Sequence, residues 1–194
     1  VALALAGVVD RRAMAGDAPE DISLQELREA LGAADPGERA EAVRALADNG
    51  DPADAARIAA LLEDRATYVP RFEVDETVGP RQVRYDALEA VAQLGPEPYA
   101  ALFDRALEED DPEARFRAPH GASVAALLRA VEREPNDAIR YAIVQALLRR
   151  GGHTEVALRA LDGLTTSSMS FVALLSRKLA ARLREAPAAL NSDD

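Results

Sequence analysis

The sequence has no cysteine and no tryptophan, and aromatic residues make up only 4% of it. Without cysteine there is no disulfide, no thiol nucleophile and no thiolate-bound metal, and the redox compartment is left open. Histidine occurs twice, at His120 and His153. Neither belongs to a His-x-x-x-His or His-Glu arrangement, so the spacing that holds a metal is missing and no metal or cofactor is expected. No apolar run approaches the roughly 20 residues a membrane span needs, so no membrane insertion is expected. Cations are also scarce: 23 Lys and Arg face 34 Asp and Glu, for a net charge of −11. Phosphate backbones and anionic lipid repel such a chain, which disfavours nucleic acid as a partner. Phosphate-cradling glycine loops, a nucleophile elbow and a dinucleotide fingerprint are all absent. Ser167, Ser168 and Ser170 have no base near them in sequence and read as helix-start residues.

What the sequence does have is alanine and leucine, which supply most of a 48% hydrophobic content. That is the filling of close-packed helices rather than of sheets. It also has a repeated frame. ERAEAVRALADNG (Glu38 to Gly50), VRYDALEAVAQLG (Val83 to Gly95) and IRYAIVQALLRRG (Ile139 to Gly151) align without gaps. Arg39, Arg84 and Arg140 share one column, Val43, Leu88 and Val144 another, and Gly50, Gly95 and Gly151 close each copy. At about 100° per residue the apolar columns cover far more than one amphipathic stripe. One hairpin partner cannot cover so wide an arc; a partner plus the next copy can. The columns Glu41 with Asp86, Arg44 with Glu89 and Gln145, and Asp48 with Gln93 and Arg149 fall together, and solvent is expected on that side.

After each glycine a second helical run begins, in DPADAARIAALLED, PEPYAALFDRALEED and HTEVALRAL. A left-handed glycine is expected at each first-helix end, with Pro52 and Pro96 placed to open the next helix. The unit is helix, tight turn, helix, the building block of a solenoid. Ser23 and Glu26 have capping-box spacing, and Ile22 with Leu27 has the spacing of a hydrophobic staple. A helix is expected over 122–134 and a long final one over 167–186, suited to a terminal cap.

This pattern resembles the HEAT-like repeats also found in phycobilisome bilin lyases, with the likeness covering roughly residues 35–163. The resemblance implies an all-α fold, a curved α-solenoid whose second helices line a concave face and often hold another protein. The His-Glu motifs of deoxyhypusine hydroxylase, a HEAT-like metalloenzyme, are missing. The expected organisation is a flexible segment over 1–20, a solenoid over 21–186 and a flexible tail over 187–194. Repeats fall at about 35–64, 81–110 and 137–163, with insertions over 65–82 and 111–122.

Several charged residues have two readings. Arg39, Arg84 and Arg140 lie within the apolar arc and are expected to form ion pairs, with Asp35 and Asp137 one turn earlier for two of them. The insertion 65–82 carries Tyr68, Arg71 and Phe72 in a strand-like run, which can pack over the stack or serve as a binding finger. The acidic corner at 108–113 reads as a solvated turn rather than a calcium loop. The function expected is a non-enzymatic scaffold or adaptor that binds another protein or peptide. Its contacts would be Tyr68, Arg71, Phe72, Arg57, Arg105 and Arg159. The alternatives are a bilin-lyase-like or DNA-glycosylase-like enzyme, or a structural segment of a larger protein. The compartment expected is the cytoplasm. The periplasm or exterior would apply if VALALAGVV, with Ala13-Met14-Ala15 after it, were the remnant of a signal peptide; Asp10, Arg11 and Arg12 between them argue against that.

Overall fold

A computed structural model describes residues 23–70, 79–151 and 153–185. The expected loose ends over 1–20 and 187–194, the staple residue Ile22, and Arg71 and Phe72 lie outside the described residues. Among those described the chain is mostly helical, with ten α-helices and one two-stranded ribbon. No described helix is long and apolar enough to cross a membrane. The chain divides into two compact units, Val1–Pro98 and Tyr99–Asp194.

The first unit holds α1 (Leu24–Ala30), α2 (Pro36–Asn49), α3 (Asp54–Ala59), β1 (Thr67–Tyr68), β2 (Arg81–Gln82) and α4 (Val83–Leu94). The capping box forms as its spacing predicts: Glu26 N–H donates to Ser23 Oγ at 3.2 Å, and Ser23 N–H donates to Glu26 Oε2 at 2.9 Å. Asp35 caps α2 by accepting from the Gly37 N–H at 2.6 Å, and Pro36 takes the first turn, where no N–H is needed. The first helices of two copies, α2 and α4, pack side by side, while α1 packs on α2 and α3 on α4. Between them they bury Ala40, Val43, Leu46, Val83, Leu88 and Val91. Each large side chain of this kind contributes about 1.5–3 kcal/mol on leaving water. Arg28 ties α1 to α3 through Asp54, with contacts of 2.7 and 3.0 Å.

The second unit holds α5 (Ala100–Ala106), α6 (Pro112–Arg117), α7 (Val124–Arg133), α8 (Asp137–Arg149), α9 (Thr154–Leu164) and α10 (Ser170–Glu185). A 3-10 turn over Ala118–His120 continues α6. The third copy, α8, is the hub: α6, α7 and α9 all pack on it, and α10 packs on α9. Phe103 of α5 is fully buried, and its ring lies where a side chain on Gly121 would have to go, 2.5 Å from an added Cβ.

The acidic corner is the interhelix turn expected, with Glu108 and Asp110 exposed between α5 and α6. Asp111 also caps α6, whose first residue is Pro112 and whose Ala114 and Arg117 are buried. Two expectations change. Gly50 does not end α2 in a left-handed conformation; its φ of −79° is ordinary. It is required by closeness instead, because a Cβ there would sit 2.4 Å from the Leu46 carbonyl oxygen. Gly95 and Gly151 do have positive φ, 151° and 74°, where a side chain is strained. Asp86, expected on the solvent side, is buried, because the ribbon of β1 and β2 covers it.

Candidate functional site

The two ends of the insertion 65–82 pair as an antiparallel ribbon, Thr67 with Gln82 and Tyr68 with Arg81. The Val83 N–H donates to the Ala66 carbonyl at 3.1 Å, so the ribbon runs directly into α4. It lies over the polar columns of α2 and α4, the side assigned to water from the sequence. That cover buries Asp86. The Tyr68 hydroxyl donates to Asp86 Oδ2 at 2.6 Å. Arg44 Nη1 donates to the Tyr68 oxygen at 2.7 Å and to Asp86 Oδ1 at 3.1 Å, closing a triangle. The Arg44 guanidinium also stands over the Tyr68 ring, 5.7 Å from its centre. Arg81 approaches Asp86 Oδ1 from the ribbon at 3.5 Å. Burial, then the hydrogen bond to Asp86, pushes the Tyr68 hydroxyl up to about 12, so it stays protonated at neutral pH.

This anchor fixes the orientation of the next residues in the chain. Tyr68 is only 8% exposed, whereas Val69 next to it is 65% exposed. Beside them lies a cleft of about 420 Å³ lined by Asp35, Gly37, Glu41, Thr67, Val69 and Pro70, among others. An outward apolar side chain on a tethered strand, next to a cleft with two carboxylates, can recognise an extended peptide or a protein edge that carries a cation.

The second unit has a larger cleft, about 680 Å³, whose lining includes Asp104, Leu107, Glu108, Arg115, Arg129 and Glu134. Asp104 is locked by Ser123, accepting from its N–H and its hydroxyl, each at 2.7 Å. Arg115 is held by Glu134 at 2.9 Å and by the Glu109 carbonyl at 2.8 Å. Among the described residues no group of three His, Asp or Glu is placed to hold a metal ion. His120 meets Arg149 at 3.2 Å through Nδ1, and its carbonyl accepts from Arg150 at 3.0 Å. Partial burial, with the two guanidiniums adding to it, lowers its affinity for a proton.

The arginine column forms partly as expected. Arg39 pairs with Asp64 at 2.8 Å rather than with Asp35, whose carboxylate is engaged in capping α2. Arg140 does lie near Asp137, at 3.7 Å, but its closer partner is the Glu134 carbonyl at 3.0 Å. Arg84 is buried at the second position of α4, and its N–H donates to the Asp64 carbonyl. A shared device connects Arg39, Arg115 and Arg140. Each stands four residues after the N-cap of its helix (Asp35, Asp111 and Asn136) and donates to the carbonyl six residues before itself. The signal was in the sequence, as Asp-Pro-x-x-Arg at 35–39 and again at 111–115.

Of the predicted contact residues, Tyr68 is an internal anchor and Val69, not singled out from the sequence, takes the outward place. Arg57 is exposed on α3 and lies 3.8 Å from Asp54, not on the ribbon. Arg105 on α5 and Arg159 on α9 are exposed in the second unit. Arg44, Arg81 and Asp86 were also missed, because only the folded ribbon gathers them. No protein-family model matches the sequence, and no curated protein matches it.

Proposed function

We propose that this chain is a non-enzymatic protein-binding scaffold, built as a HEAT-like α-solenoid, that presents the segment after Tyr68 to a partner protein. The observation that carries the reading is the anchored ribbon. Four polar side chains from α2, β1, β2 and α4 hold one strand rigidly while the next residue, Val69, projects into water beside a cleft. Binding surfaces of this kind gain affinity by avoiding the ordering cost of a loose loop. The packing of α2 on α4, the first helices of two copies, supports stacked repeats as the frame. A tyrosine hydroxyl engaged on both sides and held protonated suits an anchor better than a proton-transfer group.

Deleting 65–82 would uncover Asp86, so a point change is the cleaner test. A photo-crosslinking residue at position 69 of the full chain should capture a discrete partner in extract of the source cells, and competition by the Val69→Asp chain should be weak. If position 69 captures only what an exposed position such as Asp48 captures, the binding surface is elsewhere.

A further inference from the structure

Seven large apolar side chains are exposed among the described residues, and four of them (Met169, Phe171, Leu174 and Leu175) fall in or just before the first half of α10. The helix already has a buried face, formed by Val172, Ala173, Ser176, Ala180 and Leu183 where it packs on α9. At about 100° per residue, Phe171, Leu174, Leu175, Lys178 and Arg182 form one stripe on the opposite side. That stripe is apolar in its first half and cationic in its second. A terminal cap, the role expected from the sequence, needs a polar outer face. With Phe171 at 54% exposure and Leu174 at 49%, α10 does not have one. Neither Lys178 nor Arg182 has a carboxylate partner among the described residues, whereas Arg184, off the stripe, is paired with Asp162 at 2.5 Å.

The charge pattern narrows the occupant. A second α10 laid parallel would set Lys178 and Arg182 against their own copies, and laid antiparallel it would set them against Phe171 and Leu174. Each arrangement buries a cation without a partner. An anionic lipid surface would attract the stripe, but it is far broader than a helix and would also face the rest of a chain whose net charge is −11. A single helix laid on the stripe stays close to Lys178 and Arg182 and is screened from more distant carboxylates. An acidic helix satisfies both halves: apolar side chains at i, i+3 and i+4 meet Phe171, Leu174 and Leu175, and carboxylates one to two turns on meet Lys178 and Arg182. We infer that the outer face of α10 is a docking surface for an acidic amphipathic helix of another protein. This surface lies in the second unit, is distinct from the Val69 segment in the first, and stands or falls independently of it.

The test uses the full chain and a fluorescent peptide of about 18 residues, five helical turns, with leucines on one face and glutamates elsewhere. Fluorescence anisotropy should show saturable binding. Phe171→Ser/Leu174→Ser and Lys178→Glu/Arg182→Glu should each weaken it at least about tenfold, a loss of about 1.4 kcal/mol. The charge-reversed chain should instead prefer the same peptide with lysines for glutamates. Leu24→Ser, an exposed apolar change on α1, should leave binding as it was, and circular dichroism should find every variant equally helical. Unsaturable binding, or equal binding by all the variants, would overturn the inference. So would adsorption to phosphatidylserine vesicles that needs Phe171, or a concentration-dependent dimer that Phe171→Ser abolishes.

Discussion

The Tyr68 hydroxyl donates to the buried Asp86 carboxylate across 2.6 Å, and the two residues belong to different elements, β1 and α4. Asp86 has no other way to leave the solvent side. It sits on a helix column that would face water if the ribbon did not cover it, and Arg44 and Arg81 supply the opposing charge. The ribbon, its anchor and the outward Val69 are therefore one construction.

Removing the phenol oxygen should loosen that construction without unfolding the helices. Tyr68→Phe should cost about 1–3 kcal/mol in urea unfolding, because Asp86 and Arg44 each lose a partner. Asp86→Ala should cost more, since it leaves two arginines without their shared carboxylate. A double-mutant cycle between the two should give a coupling of about 0.5–3 kcal/mol. Additive effects would mean that the contact contributes nothing of its own.

Both ends of the pH range should bear the marks of particular residues. Tyr68 in the unfolded chain ionises near its ordinary value of 10, and in the folded chain at about 12. The unfolded state therefore gives up its proton first, so stability is full below pH 10 and falls as pH rises toward 12. Tyr68→Phe should flatten that alkaline decline. Asp54 is held below the usual carboxylate range by the hydrogen bond from Arg28, against the opposing effect of burial. Its contribution is present above the ordinary value of 3.8 and is lost as pH falls through the lowered one, and Asp54→Asn should remove that acid dependence.

Arg115 should matter to stability more than its place in a charged run suggests. Arg115→Ala strands the Glu109 carbonyl and leaves the buried Glu134 without its cation, for a cost of about 1–3 kcal/mol. Arg115→Lys should recover only part of this, because a single ammonium cannot serve both acceptors in the geometry of the guanidinium. Equal stability of the Lys and parent chains would contradict the two-acceptor account.

Gly121 is restricted by space and not by backbone conformation. Gly121→Ala should destabilise by about 1–3 kcal/mol through overlap with the Phe103 ring. Combining it with Phe103→Leu should be less harmful than the sum of the single changes, as measured by thermal unfolding.

The helices could be read from the sequence because their signals are local: a 3.6-residue apolar period, Ser23 with Glu26, Asp35 before Pro36, and glycines at the ends. The failures at Asp86, Arg44 and Val69 have a common physical origin, in that a contact made at long range overrode a local signal. Asp86 and Arg44 lie on a helix face that reads as solvated, and nothing in their own helices announces that a ribbon from 65–82 will cover them. Asp111 was hidden differently. Five acids close together read as a solvated turn, and the Asp-Pro-x-x-Arg spacing shared with 35–39 marked the helix start that follows it. Val69 could not be separated from Tyr68 before the ribbon fixed which of the two faced inward, since neighbours on a strand point to opposite sides.

A solenoid requires that neighbouring copies share one continuous apolar seam and are not independent bundles. Hydrogen exchange in a chain destabilised at α4 tests this most directly. Val91 is fully buried, and Val91→Ala opens a cavity in the second copy. A continuous stack predicts faster exchange not only in α4 but also in the next helices along the chain, α5 and α6, with the effect fading toward α10. If every amide beyond Tyr99 keeps its parent protection while α4 loosens, the units are independent and the solenoid account is wrong.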